Sequence, residues 1–149
     1  MTVIETRIDV ERSAADVFAF VSDQTNAPQW QHGLDDVRRT TGGPLGVGTE
    51  HVFVRRFAGR RIESRNRFVR FEPGRYVAFA IPDGRITGEA SYLVEPTGPE
   101  SCRLTSQMEF EFSGLVGLAA PLLRQVLKRD TARDEATLKT LLEAQTPSS

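Results

Sequence analysis

Glu50-His51-Val52-Phe53-Val54-Arg55-Arg56-Phe57-Ala58-Gly59-Arg60-Arg61-Ile62-Glu63-Ser64-Arg65-Asn66-Arg67-Phe68 decides the fold, because two β-like runs flank a two-residue turn and thereby fix which side chains share a face. With Ala58-Gly59 as that turn, Phe57 pairs with Arg60, Phe53 sits opposite Ser64 and His51 opposite Asn66, since directly opposed residues point the same way. Glu50, Arg56, Arg61, Glu63, Arg65 and Arg67 then fall together on the other face, which is the face left to water.

The same ruler extends along the chain. Pro73-Gly74 sets Phe68 opposite Phe79. Asp83-Gly84, a strong hairpin signal, sets Phe79 opposite Gly88 and Val77 opposite Ala90. Pro96 to Glu100 makes a wider turn that places Tyr92 opposite Leu104 and Ala90 opposite Ser106. All four turns give one mostly apolar face, built from His51, Phe53, Asn66, Phe68, Val77, Phe79, Ala90, Tyr92, Leu104, Ser106, Met108 and Phe110 among others. A one-residue slip would invert any strand, so the agreement carries weight.

Upstream, Ile4, Thr6, Ile8 and Val10 alternate with Glu5, Arg7, Asp9 and Glu11, the period of a strand with one wet face. Ser13, with Asp16 three residues on, reads as the cap of a short helix carrying Val17, Phe18, Phe20 and Val21. A second short helix is predicted over Asn26-Ala27-Pro28-Gln29-Trp30, with Asn26 as its cap. After a strand from Leu34 to Thr40, the glycines of Gly42 to Gly48 invite comparison with a phosphate loop. A strand rather than a helix N-terminus follows them, so they read as a plain connection. Downstream, Pro121 interrupts any helix begun at Leu115. Beyond it Leu123, Leu127, Thr131, Asp134, Leu138 and Leu141 form one stripe of a long helix that faces the sheet. The tail from Thr146 to Ser149 is read as frayed.

The chain has 149 residues, 39% hydrophobic, with a net charge of −1, which fits one domain over residues 1–149 with a single core. That balance offers no global field for nucleic acid or for an anionic membrane, and leaves room only for a local patch. No stretch approaches a membrane span, the N-terminus has no apolar leader segment, and a cytoplasmic location is expected. Cys102 is the only cysteine, which excludes an internal disulfide, and with His32 and His51 the only histidines neither a metal nor another cofactor is expected.

The order strand, two short helices, six strands and a long closing helix comes with four matching segments. They are Ser13-Ala14-Ala15-Asp16-Val17-Phe18, Gly46-Val47-Gly48-Thr49, Phe71-Glu72-Pro73 and Leu138-Lys139-Thr140-Leu141-Leu142-Glu143. Over nearly its whole length the chain resembles the polyketide cyclase/dehydrase family of the START-like (SRPBCC, Bet v 1-like helix-grip) superfamily. The resemblance implies an α+β fold in which a curved seven-stranded antiparallel sheet grips the C-terminal helix around an elongated cavity. The matching segments are scaffold, so they speak to fold more than to chemistry.

The residues proposed to contact a ligand are Trp30, His51, Phe53, Asn66, Phe68, Phe79, Tyr92, Ser106, Met108 and Asp134. His51 opposite Asn66 is the best inward polar pair, suited to orienting a carbonyl or acting as a base, or else simply a histidine hydrogen-bonded at a sheet edge. Tyr92 has room among Gly88, Ala90 and Ser106 to present its hydroxyl to a cavity, or it is a core tyrosine. Arg55 points inward near a hairpin tip and can reach water from there. Asp134 is costly if buried dry, so it borders a wet cavity or turns to solvent. Trp30 resembles the family's aromatic near the cavity mouth, or staples its helix to the sheet, and His32 reads as surface. The leading expectation is a binder of a small, largely apolar molecule, lipid-like or polyketide-like. A cyclase or dehydratase acting on a poly-carbonyl substrate is the first alternative, and a protein-interaction module, favoured by any exposed apolar patch, is the second. Catalytic residues and oligomeric state are not assigned by the sequence.

Overall fold

The computed structural model describes residues 2–57, 59–83, 86–112 and 118–144. Its seven strands are β1 (Thr2–Val10), β2 (Leu34–Arg39), β3 (Glu50–Phe57), β4 (Arg60–Glu72), β5 (Tyr76–Asp83), β6 (Ile86–Gly98) and β7 (Ser101–Phe112). They form one antiparallel sheet in the order β1-β7-β6-β5-β4-β3-β2. Helix α1 (Ala14–Ser22), a 3-10 helix (Gln24–Gln29) and the long α2 (Ala120–Ala144) complete an α+β helix-grip fold.

The β3–β4 register is the expected one, with Phe57 opposite Arg60, Phe53 opposite Ser64 and His51 opposite Asn66, although Ala58 itself lies outside the described residues. Phe68 lies opposite Phe79 as expected, but for a different reason. The β4–β5 loop has three residues, Pro73-Gly74-Arg75, closed by a 3.1 Å bond from Arg75 N to Glu72 O and turned by Gly74 at φ +76°. A bulge at Val69 then restores the register, so two one-residue errors cancel. Between turn and bulge the facing is reversed, and Phe71 pairs with Val77 and points inward.

The next two hairpins shift by two residues relative to expectation. Asp83 pairs with Ile86, so Phe79 faces Ala90 rather than Gly88, and Val77 faces Tyr92 rather than Ala90. Gly98 pairs with Ser101, and a bulge between Pro96 and Gly98 shifts the register by one so that Pro96 faces Cys102, Tyr92 faces Ser106 and Ala90 faces Met108. A shift of two preserves the face because side chains alternate with period two, and the inward set survives. One steric inference does not. A Cβ on Gly88 would lie 2.5 Å from Glu109 O and 2.7 Å from Phe110 Cδ1, so the Phe110 ring occupies the space assigned to Tyr92's surroundings.

The Ser13 hydroxyl caps α1 by accepting from Asp16 N at 3.2 Å. The 3-10 helix begins earlier than expected because Asp23, not Asn26, caps it, accepting from Thr25 N at 3.2 Å. Asn26 donates to Phe20 O instead. Pro121 sits in the first turn of α2, where its missing N–H costs no helical bond, and the stretch 113–117 lies outside the described residues.

Helix α2 is more deeply buried in its C-terminal half than in its first half. Leu138 and Leu142 are fully buried against a core that includes Val10, Val94, Cys102 and Leu104. Leu142 takes the place expected for Leu141, which is half-buried. The C-terminal turn is tied to the β1–α1 connection: Glu11 N donates to Glu143 Oε2 at 2.9 Å and Arg12 Nη1 to Leu142 O at 3.2 Å. Passing back along the helix the contacts move from Asp9 to Thr6 on β1, and before Asp134 the residues become half-buried or exposed. Continued in that direction, the first half of α2 runs towards the end of the sheet that carries Met108 and Phe110, both half-buried.

Candidate functional site

Three hydroxyl-bearing residues lie in one row across the inward face: Thr6 on β1 pairs with Ser106 on β7, which pairs with Tyr92 on β6. Above the row α2 presents Glu135, only 3% exposed. The Thr6 hydroxyl donates to Glu135 Oε1 at 2.5 Å, while Glu135 Oε2 and Ser106 Oγ are buried without hydrogen-bond partners. Ser106 is near enough to favour the ionised acid but is not in hydrogen-bond geometry with it. Loss of hydration nonetheless dominates, and together with the Asp134 charge it holds the Glu135 pKa above its usual range.

Sequence reading missed Glu135 and placed Asp134 on the inward stripe. Near the middle of α2 the buried face is centred one residue later than the heptad count suggested. The signal was present: Glu135, Leu138 and Leu142 are spaced three and four apart, but an acid at the head of such a stripe reads as surface. Asp134 lies at the rim, its side chain 17% exposed, where its Oδ1 accepts from His32 N at 3.1 Å and meets His32 Nδ1 at 2.6 Å. His32 is therefore engaged rather than plain surface.

Tyr92 is half-buried, and burial pushes its phenol pKa up, helped by the Glu135 charge. Its ring meets Trp30 edge-on at 6.3 Å and Phe79 at 5.9 Å. Phe79 in turn lies 6.2 Å from Phe68, and Phe68 5.5 Å from His51, so an aromatic wall runs from the hydroxyl row to the histidine. Phe71, turned inward by the bulge, stacks on Phe68 at 6.2 Å and extends this wall towards Phe18. Phe53 is not part of it. It packs with Ala27, Leu34 and Val37 in a satellite cluster, with the Arg55 guanidinium 5.8 Å above its ring. Arg55 itself is exposed and reaches Gln31 Oε1 at 3.3 Å.

At the far end of the wall His51 is fully buried and makes no hydrogen bond to Asn66, its cross-strand neighbour. Both ring nitrogens and Asn66 Oδ1 lack partners, while Asn66 Nδ2 donates to Gln24 Oε1 at 2.6 Å. Burial, reinforced by the Arg39 charge, lowers the His51 pKa and keeps the imidazole neutral. Arg39, directly opposite His51 on β2, was not recognised as inward because the Thr41–Gly48 loop is too long to transmit register. The structure thus separates the polar candidates into two poles: an acidic one at Thr6, Tyr92, Ser106 and Glu135, and a second at Gln24, His51 and Asn66 beside the Arg39 guanidinium. Cys102 is buried and its thiol pushed up to about 11, the opposite of activation. Among the described residues no group of three or more His, Cys, Asp or Glu is placed to hold a metal ion, and no helix is long and apolar enough to cross a membrane.

Several solved structures share this architecture. A START superfamily protein from Mycobacterium smegmatis superposes with a TM-score of 0.82 at 16% identity, covering 97% of this chain and 99% of that one. The Zhui aromatase/cyclase from Streptomyces sp. R1128 gives 0.79 at 15% identity, with 95% and 93% covered. Norcoclaurine synthase from Thalictrum flavum, in complex with dopamine and hydroxybenzaldehyde, gives 0.69 at 22% identity, with 97% and 88% covered. At such identities the likeness establishes the fold alone. No match was found among curated proteins. Residues 1–143 match the family described as polyketide cyclase / dehydrase and lipid transport, and the chain belongs to that family.

Proposed function

We propose that this protein binds a small, largely apolar molecule carrying at least one hydroxyl or carbonyl group, in the gap between the sheet and α2. One observation carries the reading: Glu135 Oε2 and Ser106 Oγ are both buried on the inward face, and neither makes a hydrogen bond of good geometry. A buried polar atom left unpaired costs about 1–3 kcal/mol, a cost that a ligand group bonded there removes. Trp30, Phe79, Tyr92 and Met108 supply an apolar wall beside these atoms. The family's lipid-transport and cyclase members fit such a container.

The test is a titration of hydroxylated and non-hydroxylated polycyclic aromatic probes, read by fluorescence and native mass spectrometry. The hydroxylated probe should bind more tightly to wild type, and Ser106→Ala with Glu135→Gln should erase the difference. Equal affinity for both probes in wild type would remove the polar pole from the site. A second reading, proton transfer at a carbon next to a carbonyl, is favoured by Glu135, a buried carboxyl whose pKa is raised by lost hydration, so that it holds a proton more readily than an exposed acid does. Under that reading Glu135→Gln lowers turnover of a poly-carbonyl substrate far more than it lowers binding.

A further inference from the structure

An ordinary helix lying on a sheet needs one apolar stripe, the one facing the core. The first half of α2 and the residues just before it present two. Leu123 and Leu127 are half-buried towards the sheet. On the other side Leu118, Leu122 and Val126, spaced four apart, are 81%, 69% and 46% exposed. Val47 aside, Leu118 and Leu122 are the most exposed large hydrophobic side chains among the described residues. Nothing in the packing of the described residues explains them.

The charges along this stretch are of one sign up to Arg129, beyond which Asp130 flanks the stripe. From Leu118 to Arg129 the chain holds Arg124, Lys128 and Arg129 and no acid, although the whole chain carries a net charge of −1. Arg129 follows Val126 by three residues and so continues the exposed stripe, about 10 Å along the axis from Leu122 at 1.5 Å per residue. Arg133 follows one turn later and shares its charge with Asp130 at 3.7 Å. An apolar tip with cations set one to two turns behind it matches the profile of a bilayer interface, where leucines enter the acyl boundary and guanidinium groups meet anionic headgroups. A second copy of the chain is the poorer occupant, because the same face on a partner would bring these cations together with no acid between Leu118 and Arg129 to answer them.

We propose that the first half of α2 docks the protein on an anionic lipid surface, with Leu118, Leu122 and Val126 inserted, Arg129 at the headgroups and Lys128 on the flank. The docking surface lies on the half of α2 that runs towards the Met108 and Phe110 end of the sheet, so a molecule leaving the bilayer would meet that end of the proposed site. The proposal stands independently of which ligand that gap takes.

The experiment is sedimentation of the full chain with vesicles of phosphatidylcholine containing roughly a third phosphatidylserine, beside vesicles of phosphatidylcholine alone. Partition onto the anionic vesicles should be at least about tenfold stronger and should weaken steeply with salt. Leu122→Asp should lower it by about tenfold or more, and Arg129→Gln by about fivefold, with thermal unfolding of both variants unchanged because both sites are exposed. Equal partition onto both vesicles, or none, overturns the proposal. So does a concentration-dependent dimer that Leu122→Asp abolishes, since the face would then belong to a second copy. Wild-type partition persisting in Leu122→Asp would place the membrane contact elsewhere and equally refute it.

Discussion

Replacing Glu135 with glutamine should stabilise the protein at neutral pH and leave it nearly unchanged in acid. The carboxyl has one oxygen bonded to Thr6 and one buried without a partner. The amide keeps an acceptor for Thr6, places a donor near the unpaired Ser106 hydroxyl and has no charge to bury. The wild-type acid has a folded pKa raised above its ordinary 4.5, chiefly by lost hydration. A raised carboxyl pKa means that the folded state holds more protons than the unfolded one between the two values, so wild-type stability falls as pH rises through that window. Each unit of elevation is worth ~1.4 kcal/mol. An unsatisfied buried polar atom costs about 1–3 kcal/mol, which sets the gain expected for the amide at neutral pH. For a chain of this length that is roughly 2–4 °C in Tm for each kcal/mol. The assay is denaturant unfolding of both proteins from about pH 4 to about pH 8, with the variant's advantage growing with pH. If Glu135→Gln is destabilised by the same amount at every pH, the carboxylate contributes favourably through a contact and the account of its burial is wrong.

Leu138→Ala, at a fully buried position in the C-terminal half of α2, should cost about 2–5 kcal/mol in chemical denaturation, whereas Leu122→Ala on the exposed stripe should stay within about 0.5 kcal/mol; similar losses would mean that the two halves of the helix are equally packed. Gly88→Ala should destabilise by about 1–3 kcal/mol because the added methyl meets the Glu109 carbonyl, which cannot rotate away, and a neutral result in the same measurement would show that β6 and β7 can part there. The His51 pKa is lowered by burial, so its neutral form favours folding; NMR titration should show its ring titrating below the ordinary 6.5, with stability declining as pH drops beneath that value, and a normal titration curve would contradict its burial.

Strand identity and facing were legible in the sequence because they depend on local alternation and on turn chemistry, both of which act within a few residues. The β3–β4 hairpin came out residue for residue, since Ala58-Gly59 admits one tight turn. Even where the loops were miscounted, at Asp83-Gly84 and Pro96 to Glu100, the errors were of two residues and period-two alternation kept each side chain on its face. Cross-strand partners were lost with those errors, and with them the pairing of Tyr92 with Ser106 on which the acidic pole depends. Phe71 and Val69 show what alternation cannot supply: a bulge is set by how the sheet curves over its helices, and it reversed the facing of three residues without leaving a local mark.

The site itself was decided by tertiary structure. A sequence can state that α2 is amphipathic, but its rotation about its own axis is fixed only when Leu138 and Leu142 seat on the core that includes Val10, Val94, Cys102 and Leu104, and that rotation brought Glu135 over the hydroxyl row and turned Asp134 to His32. Arg39 reached His51 across a loop too long to count through, and Gln24 reached Asn66 from a helix 42 residues away in the chain. Pattern along the chain determined which face of each strand is apolar. Which polar groups meet there depended on the long-range packing of a helix against a curved sheet, whose energy is shared among many apolar contacts and written in no single motif.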